Sequence, residues 1–142
     1  MRIRQAAGLA IVGALAVLVG LYLVPWHATP CDQCDFLGTR EFYSENADDY
    51  DGLSLAVAFF RFGHVIFGTA AVLTALALLA GRPRLALAGA GLTLLGGIWF
   101  AIMWGQIGVI NTLATAFLAP LGGVLVVLGG LGAQVRAEPS AA

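Results

Sequence analysis

The sequence predicts an all-α integral membrane protein. It is expected to be a bundle of four transmembrane helices, with both termini in the cytoplasm and one long acidic exoplasmic loop between helices one and two. Three observations lead there. Sixty per cent of the 142 residues are hydrophobic and eleven per cent are charged, the balance of a membrane chain and not of a soluble domain. The apolar residues fall in four long runs broken by short polar stretches. The arginines then orient these runs. Arg2 and Arg4 precede the first, Arg82 and Arg84 lie between the second and third, and Arg136 follows the fourth. Asp32, Asp35, Glu41, Glu45, Asp48, Asp49 and Asp51 all lie between the first and second runs. The positive-inside rule puts the arginine-flanked ends in the cytoplasm and the acidic stretch outside.

The first helix is expected over residues 6–24. Its apolar stretch is long enough to span, whereas the apolar region of a secretory signal runs to about 7–15 residues, so the segment is expected to stay uncleaved. Ala28-Thr29-Pro30-Cys31 is a poor lipid-attachment box, because Pro30 stands where a small cleavable residue is wanted. Pro25 ends the helix, since an interior proline forfeits a backbone hydrogen bond. Tyr22 and Trp26 sit where amphipathic rings prefer to lie, at the outer interface.

The outer loop covers residues 27–52, with Arg40 as its single basic residue. Residues 41–49 lack Pro and Gly and are compatible with a short helix. Helix two is expected over residues 53–80, Gly81-Arg82-Pro83-Arg84 forms the cytoplasmic turn, and helix three covers residues 85–104. Gly105-Gln106-Ile107-Gly108 reads as a tight outer turn, and helix four covers residues 109–133 before a polar tail. The whole chain is one membrane domain. Lysine is absent while Ala, Gly and Arg abound, the composition of a GC-rich bacterial genome, so the expected location is a bacterial plasma membrane.

Membrane helices gain little from ordinary apolar burial, because lipid tails are as apolar as leucine. They associate where small residues let backbones approach. Gly89, Thr93, Gly97, Ala101 and Gly105 recur at i, i+4 along helix three and are expected to form a packing stripe. Gly8, Ala16 and Gly20 make a weaker row on helix one. On helix four, Gly122 with Gly129 and Gly123 with Gly130 make two rows. More small-residue faces are present than one bundle must use, which points to other membrane protein subunits as partners besides the lipid bilayer. No basic cluster lies outside the membrane-flanking segments, which argues against nucleic acid.

Both cysteines lie in the outer loop, as Cys31-Asp32-Gln33-Cys34. Outside the cytoplasm such a pair can form a local structural disulfide. It can also act as a redox couple, because one thiol of a CxxC often has a depressed pKa. With His27, the spacing H-x3-C-x2-C offers imidazole and thiolate ligands suited to a thiophilic metal such as Zn²⁺ or Cu(I). Pro30-Cys31-Asp32-Gln33-Cys34, just beyond the first of four membrane helices, resembles the first periplasmic loop of the bacterial quinone-dependent disulfide-forming membrane enzymes. The resemblance implies electron transfer from a partner through cysteines to a quinone, and it covers these five residues and the helix count. The chain departs from that family in three ways. The family's second cysteine pair has no counterpart in Gly105-Gln106-Ile107-Gly108, Arg40 follows Cys34 at a longer distance, and the first loop is longer and more acidic. Membership is not assigned.

A further candidate is an outer-leaflet pocket. Arg61 and His64 are three apart on helix two, a spacing that shares one α-helical face. Ionisable groups inside a membrane segment count as functional candidates. Trp99, Met103 and Trp104 on helix three lie at similar depth and could line a slot for a quinone head or lipid tail. The favoured reading overall is a non-catalytic accessory or scaffolding subunit of a larger membrane assembly, such as a respiratory complex. Thiol–disulfide exchange at Cys31 and Cys34, and metal handling through His27, Cys31 and Cys34, stay open as alternatives. No cofactor is assigned.

Overall fold

The computed structural model describes residues 2–23, 26–28, 31–34, 55, 58–107 and 113–137, with the backbone alone at 26–28, 31–34, 60, 104–107, 113–117 and 135–137. Four helices form: α1 (Ile3–Leu18), α2 (His64–Leu79), α3 (Pro83–Ile107) and α4 (Leu113–Ala137). A π-helical turn at Val19–Leu23 continues α1, and a second at Phe59–Gly63 leads into α2. Beyond α1, β1 (Trp26–Ala28) pairs antiparallel with β2 (Cys31–Cys34). Trp26 stands opposite Cys34 and Ala28 opposite Cys31, so β2 carries one residue more than β1 across the same span, a bulge.

Element ends differ from the sequence reading in ways that local chemistry explains. Pro83, assigned to the turn, instead opens α3, where its fixed φ suits the first helical position and its missing N–H costs nothing. Gln106 and Ile107, assigned to the outer turn, continue α3. Gly105 inside this helix costs about 1 kcal/mol relative to Ala, too little to end it. α4 (Leu113–Ala137) runs past the expected end at residue 133, while its expected start at residue 109 lies outside the described residues. The start of the outer loop is a hairpin. The stretch 41–49 lies outside the described residues.

The α2–α3 turn matches its expected place and has a clear mechanism. Gly81 adopts φ 70°, the left-handed conformation that favours glycine. Its N–H donates to the Leu78 carbonyl (3.1 Å) and the Arg82 N–H donates to the Ala77 carbonyl (2.9 Å), closing α2 with a Schellman motif. At the start of α1, the Arg2 N–H donates to Gln5 Oε1 (3.0 Å).

The helices form an up-down bundle in which α1 neighbours α2 and α4, α3 neighbours α2 and α4, and the α2–α4 diagonal touches only slightly. Among the described residues, three stretches, Ile3–Leu23, Arg61–Leu79 and Pro83–Met103, are long and apolar enough to cross a membrane, and Leu118–Gln134 of α4 is a further apolar stretch. The closest seam joins α1 to α4. A Cβ on Gly13 would lie 2.5 Å from the Gly122 carbonyl oxygen, and one on Gly122 would lie 2.5 Å from the Gly13 oxygen. Gly20 faces Ala119 and Gly129 faces Ala6 and Ala10 in the same manner.

The two glycine rows of α4 face two sides, α1 on one and α2 with α3 on the other. Gly122 and Gly129 face α1, while Gly123 faces Phe67 of α2 and Gly130 faces Ala90 of α3. Adjacent helical residues point about 100° apart, so one pair of rows serves two sides. On α1, Gly20 and half-buried Ala16 meet α4, but Gly8 has nothing near it.

The α3 stripe follows the contact for only part of its length. Gly89 and Thr93 are buried, Gly97 is half-buried and Ala101 is exposed, while the Gly105 environment lies outside the described residues. Each i, i+4 step turns about 40° beyond a full circle, so the stripe winds off the interface. The buried face of α3 instead runs through Ala86, Gly89, Ala90, Thr93, Gly96, Phe100 and Met103, alternating steps of three and four. The two buried hydroxyls on this seam are satisfied within their own helices. Thr74 Oγ1 donates to the Ala70 carbonyl (2.7 Å) and Thr93 Oγ1 to the Gly89 carbonyl (2.8 Å).

Candidate functional site

One polar contact between helices joins the two π-helical regions. A π-turn closes i→i+5 hydrogen bonds and so accommodates an extra residue, which rotates the side chains that follow it; such turns are frequent at functional sites. Tyr22 lies in the first and His64 directly follows the second. The Tyr22 hydroxyl and His64 Nδ1 share a hydrogen bond of 2.7 Å, with the rings edge to face at a centroid distance of 5.8 Å. His64 is 7% exposed, so the bond holds a buried imidazole between helices, while Tyr22, 39% exposed, reaches the bundle surface.

Gly68, one turn along α2 from His64, leaves room beneath this pair. A Cβ there would sit 3.5 Å from Leu18 and 4.0 Å from the Tyr22 hydroxyl. The resulting α1–α2 groove, about 250 Å³, is lined by Leu18, Tyr22, Val65, Gly68, Thr69 and Val72 among others. Tyr22 thus ties α1 to α2 just before the chain leaves for the hairpin that carries Cys31 and Cys34.

On the opposite side of α2 an aromatic cluster fills the space against α3. Phe59 packs edge to face on Trp99 (6.2 Å) and Phe100 (5.7 Å), Phe62 packs on Trp99 (5.6 Å), and Phe67 lies tilted against Phe100 (6.3 Å). Phe59, Phe67, Phe100 and Met103 are fully buried. Trp99 Nε1 donates to the Leu55 carbonyl (2.8 Å), which fastens the chain entering α2 onto α3.

The structure therefore divides the expected outer-leaflet pocket. His64 turns toward α1 and bonds Tyr22. Trp99 and Met103 belong to the ring cluster on the α3 side. Arg61 is exposed. Arg61 and His64 differ in burial, and the π-turn at Phe59–Gly63 departs from the α-helical geometry on which the i, i+3 spacing was read. Trp104 continues α3, and its side chain lies outside the described residues. His27 sits on β1 and Cys31 and Cys34 at the two ends of β2; their side chains likewise lie outside the described residues. Among the described residues no group of three or more His, Cys, Asp or Glu gathers to hold a metal.

Two side-chain contacts between helices escaped sequence reasoning. Tyr22 was placed as an interfacial ring, with no signal linking it to a histidine 42 positions away. Gln134, read as the start of a polar tail, turns its amide inward and donates from Nε2 to the Pro83 carbonyl, with a longer contact to the Gly130 carbonyl (3.4 Å). A lone glutamine after an apolar run, opposite a helix that begins with proline, is the only signal that pointed to it. No protein-family model, curated protein sequence or solved structure matches this chain.

Proposed function

We propose that this chain is a four-span protein of a bacterial plasma membrane, with cytoplasmic termini and an exoplasmic acidic loop, acting as a non-catalytic accessory subunit of a larger membrane assembly. A respiratory complex, whose outer face receives basic partners, is one host that the acidic loop would suit. The observation that carries this reading is the outer surface of α3. Of the most apolar stretch of α3, 28% is buried, against 56% for α2 and 44% for α1, so α3 is the helix the bundle covers least.

Leucine facing lipid requires no partner. A groove floored by small residues is different, because it lets another helix bring its backbone close. Such a groove, about 250 Å³, opens between α3 and α4, where Gly97, Ala101 and Gly123 form the floor and Ile98, Pro120 and Val124 form walls. It takes in the part of the α3 stripe that winds off the bundle. Ala101 is exposed and Gly97 only half-buried, so this part of the stripe is open to a second protein.

The test is the native mass of the complex. The protein is extracted from its own membranes in mild detergent, sized by native electrophoresis, and its co-migrating proteins are identified by mass spectrometry. The expected result is a defined large species, reduced to the free subunit by Ala101→Trp, which blocks the groove from its exposed side. Migration of the unaltered chain as a small lone species would defeat the accessory reading and shift attention to Cys31 and Cys34 as a redox pair or metal site.

A further inference from the structure

The end of the bundle where α1 begins and α2 turns into α3 carries four exposed arginines, Arg2, Arg4, Arg82 and Arg84. No acidic side chain is described there, and Glu138 is the only acidic residue of the chain outside the long loop. Two grooves open between helices at this end. One, about 430 Å³, lies between α1 and α2 and has Arg4 on its rim. The other, about 390 Å³, lies between α2 and α3 and has Arg82 on its rim.

The α2–α3 groove has the shape and chemistry of a lipid seat. Its walls include Leu73, Leu76, Leu85 and Leu92, with Ala77 and Ala88 along its floor. It runs from Ala70 to Ala80 on α2, about 15 Å at 1.5 Å per residue. That is about half of a ~30 Å hydrocarbon core, the depth of one leaflet. Arg82 stands at the end where a headgroup would lie, and Arg84 follows in the first turn of α3. The first-turn N–H groups of that helix lack intrahelical acceptors and favour an anion. Gln134 ties α4 to the Pro83 carbonyl, which holds this helix start in place.

We propose that the α2–α3 groove binds one anionic phospholipid, with its phosphate at Arg82 and Arg84 and one acyl chain along Leu73, Ala77 and Ala88. The site rests on the reading of the chain as a membrane protein. Charge complementarity selects the occupant: a zwitterionic headgroup offsets its phosphate with its own ammonium, an apolar helix brings no negative charge, and basic pockets between helices on the cytoplasmic side are suited to anionic headgroups.

The full chain, purified in mild detergent, is incubated with dioleoylphosphatidylglycerol or with dioleoylphosphatidylcholine, and bound lipid is counted by native mass spectrometry. The expected result is retention of phosphatidylglycerol over phosphatidylcholine. Arg82→Gln should lower that retention about fivefold, the factor expected for one basic residue near an anionic lipid surface. Ala88→Trp, which fills the groove and keeps both arginines, should lower it as well. Arg61→Gln, at the other end of the bundle, should leave it unchanged. Glycerol 3-phosphate in excess should fail to displace the lipid; displacement would mean that the arginines bind a free phosphate and the groove holds no chain. Equal retention of both lipids, or full retention by both Arg82→Gln and Ala88→Trp, would overturn the site. Carbonate washing of native membranes separates this failure from the deeper one. A chain that washes off is not integral, whereas a chain that stays while the variants retain lipid loses only the proposed site.

Discussion

The α1–α4 seam and the α2–α3 seam hold the same bundle together by opposite means. Along α1–α4 the side chains are nearly gone: Ala6, Ala10, Gly13 and Gly20 meet Gly129, Gly122 and Ala119, and backbone stands against backbone. Toward the π-turn end of α2–α3 the side chains are large, with Phe59, Phe67, Phe100 and Trp99 packed ring on ring. In the membrane proposed for this chain, neither seam gains from removing apolar surface from water, since lipid is the alternative solvent. What remains is the fit itself. A seam of glycines cannot accept an added atom, and a seam of rings cannot spare one.

The largest effect expected from this contrast comes from a single methyl group. A Cβ at Gly122 would lie 2.5 Å from the Gly13 oxygen and 2.7 Å from the Val17 nitrogen. Both are backbone atoms and cannot rotate aside, so α1 must move. Gly122→Ala should lower stability by about 3 kcal/mol, the upper end of what overpacking costs. Gly91→Ala makes the same chemical change where nothing lies within 4 Å. It should be neutral or gain up to about 1 kcal/mol from helix propensity. Reversible unfolding in mixed detergent and SDS micelles measures both. Equal midpoints for the two variants would mean that the α1–α4 backbones do not approach as described.

A smaller loss is expected at the ring seam. Phe67 is fully buried and touches both Gly96 and Gly123. Phe67→Ala leaves a cavity but, with lipid as the reference, forfeits little transfer energy, so about 2 kcal/mol is expected rather than the 3–5 kcal/mol of a soluble core. A cycle sharpens the contrast. A Cβ at Gly123 would lie 3.1 Å from the Phe67 ring, so Gly123→Ala should destabilise the parent and become neutral in the Phe67→Ala background. Gly122→Ala, opposed by backbone, should cost the same in both backgrounds. Rescue of both glycine variants by Phe67→Ala would erase the distinction between the seams.

The two seams were unequally legible in the sequence. Run lengths and breakers located all four helices, and Gly81-Arg82-Pro83 marked the α2–α3 turn because positive φ and a helix-opening proline have strong residue signatures. The two glycine rows of α4 were visible because seven residues return close to the same face. The α3 stripe leaves the contact at Gly97 and Ala101, since an i, i+4 row drifts where the contact follows threes and fours. The candidate site was legible as residue types and not as a grouping. The three-residue spacing of Arg61 and His64 predicts one shared face, yet His64 is buried and Arg61 is exposed. The π-turn at Phe59–Gly63 has no signature in the residues themselves, so neither the separation of Arg61 from His64 nor the pairing of His64 with Tyr22 could be read from spacing.

That pairing is the site of the smallest effect, and it tests whether the α1–α2 contact belongs to either class of seam. Tyr22 and His64 meet beside an open groove through a hydrogen bond of 2.7 Å and an edge-to-face contact of their rings, without the backbone approach of α1–α4 or the larger ring cluster of α2–α3. Interhelical hydrogen bonds inside membranes average about 0.6 kcal/mol, because an unfolded helix in lipid also finds partners for its polar groups. Tyr22→Phe removes the hydroxyl and keeps the ring, so it should cost about that much in the same unfolding titration. A cycle with His64→Phe should return a coupling of similar size. A coupling of about 2 kcal/mol or more would exceed the largest values typical of such bonds and would make the pair a principal tie between α1 and α2. A coupling of zero would mean that the edge-to-face ring contact, which both phenylalanines preserve, holds these helices and that the hydrogen bond contributes nothing to stability.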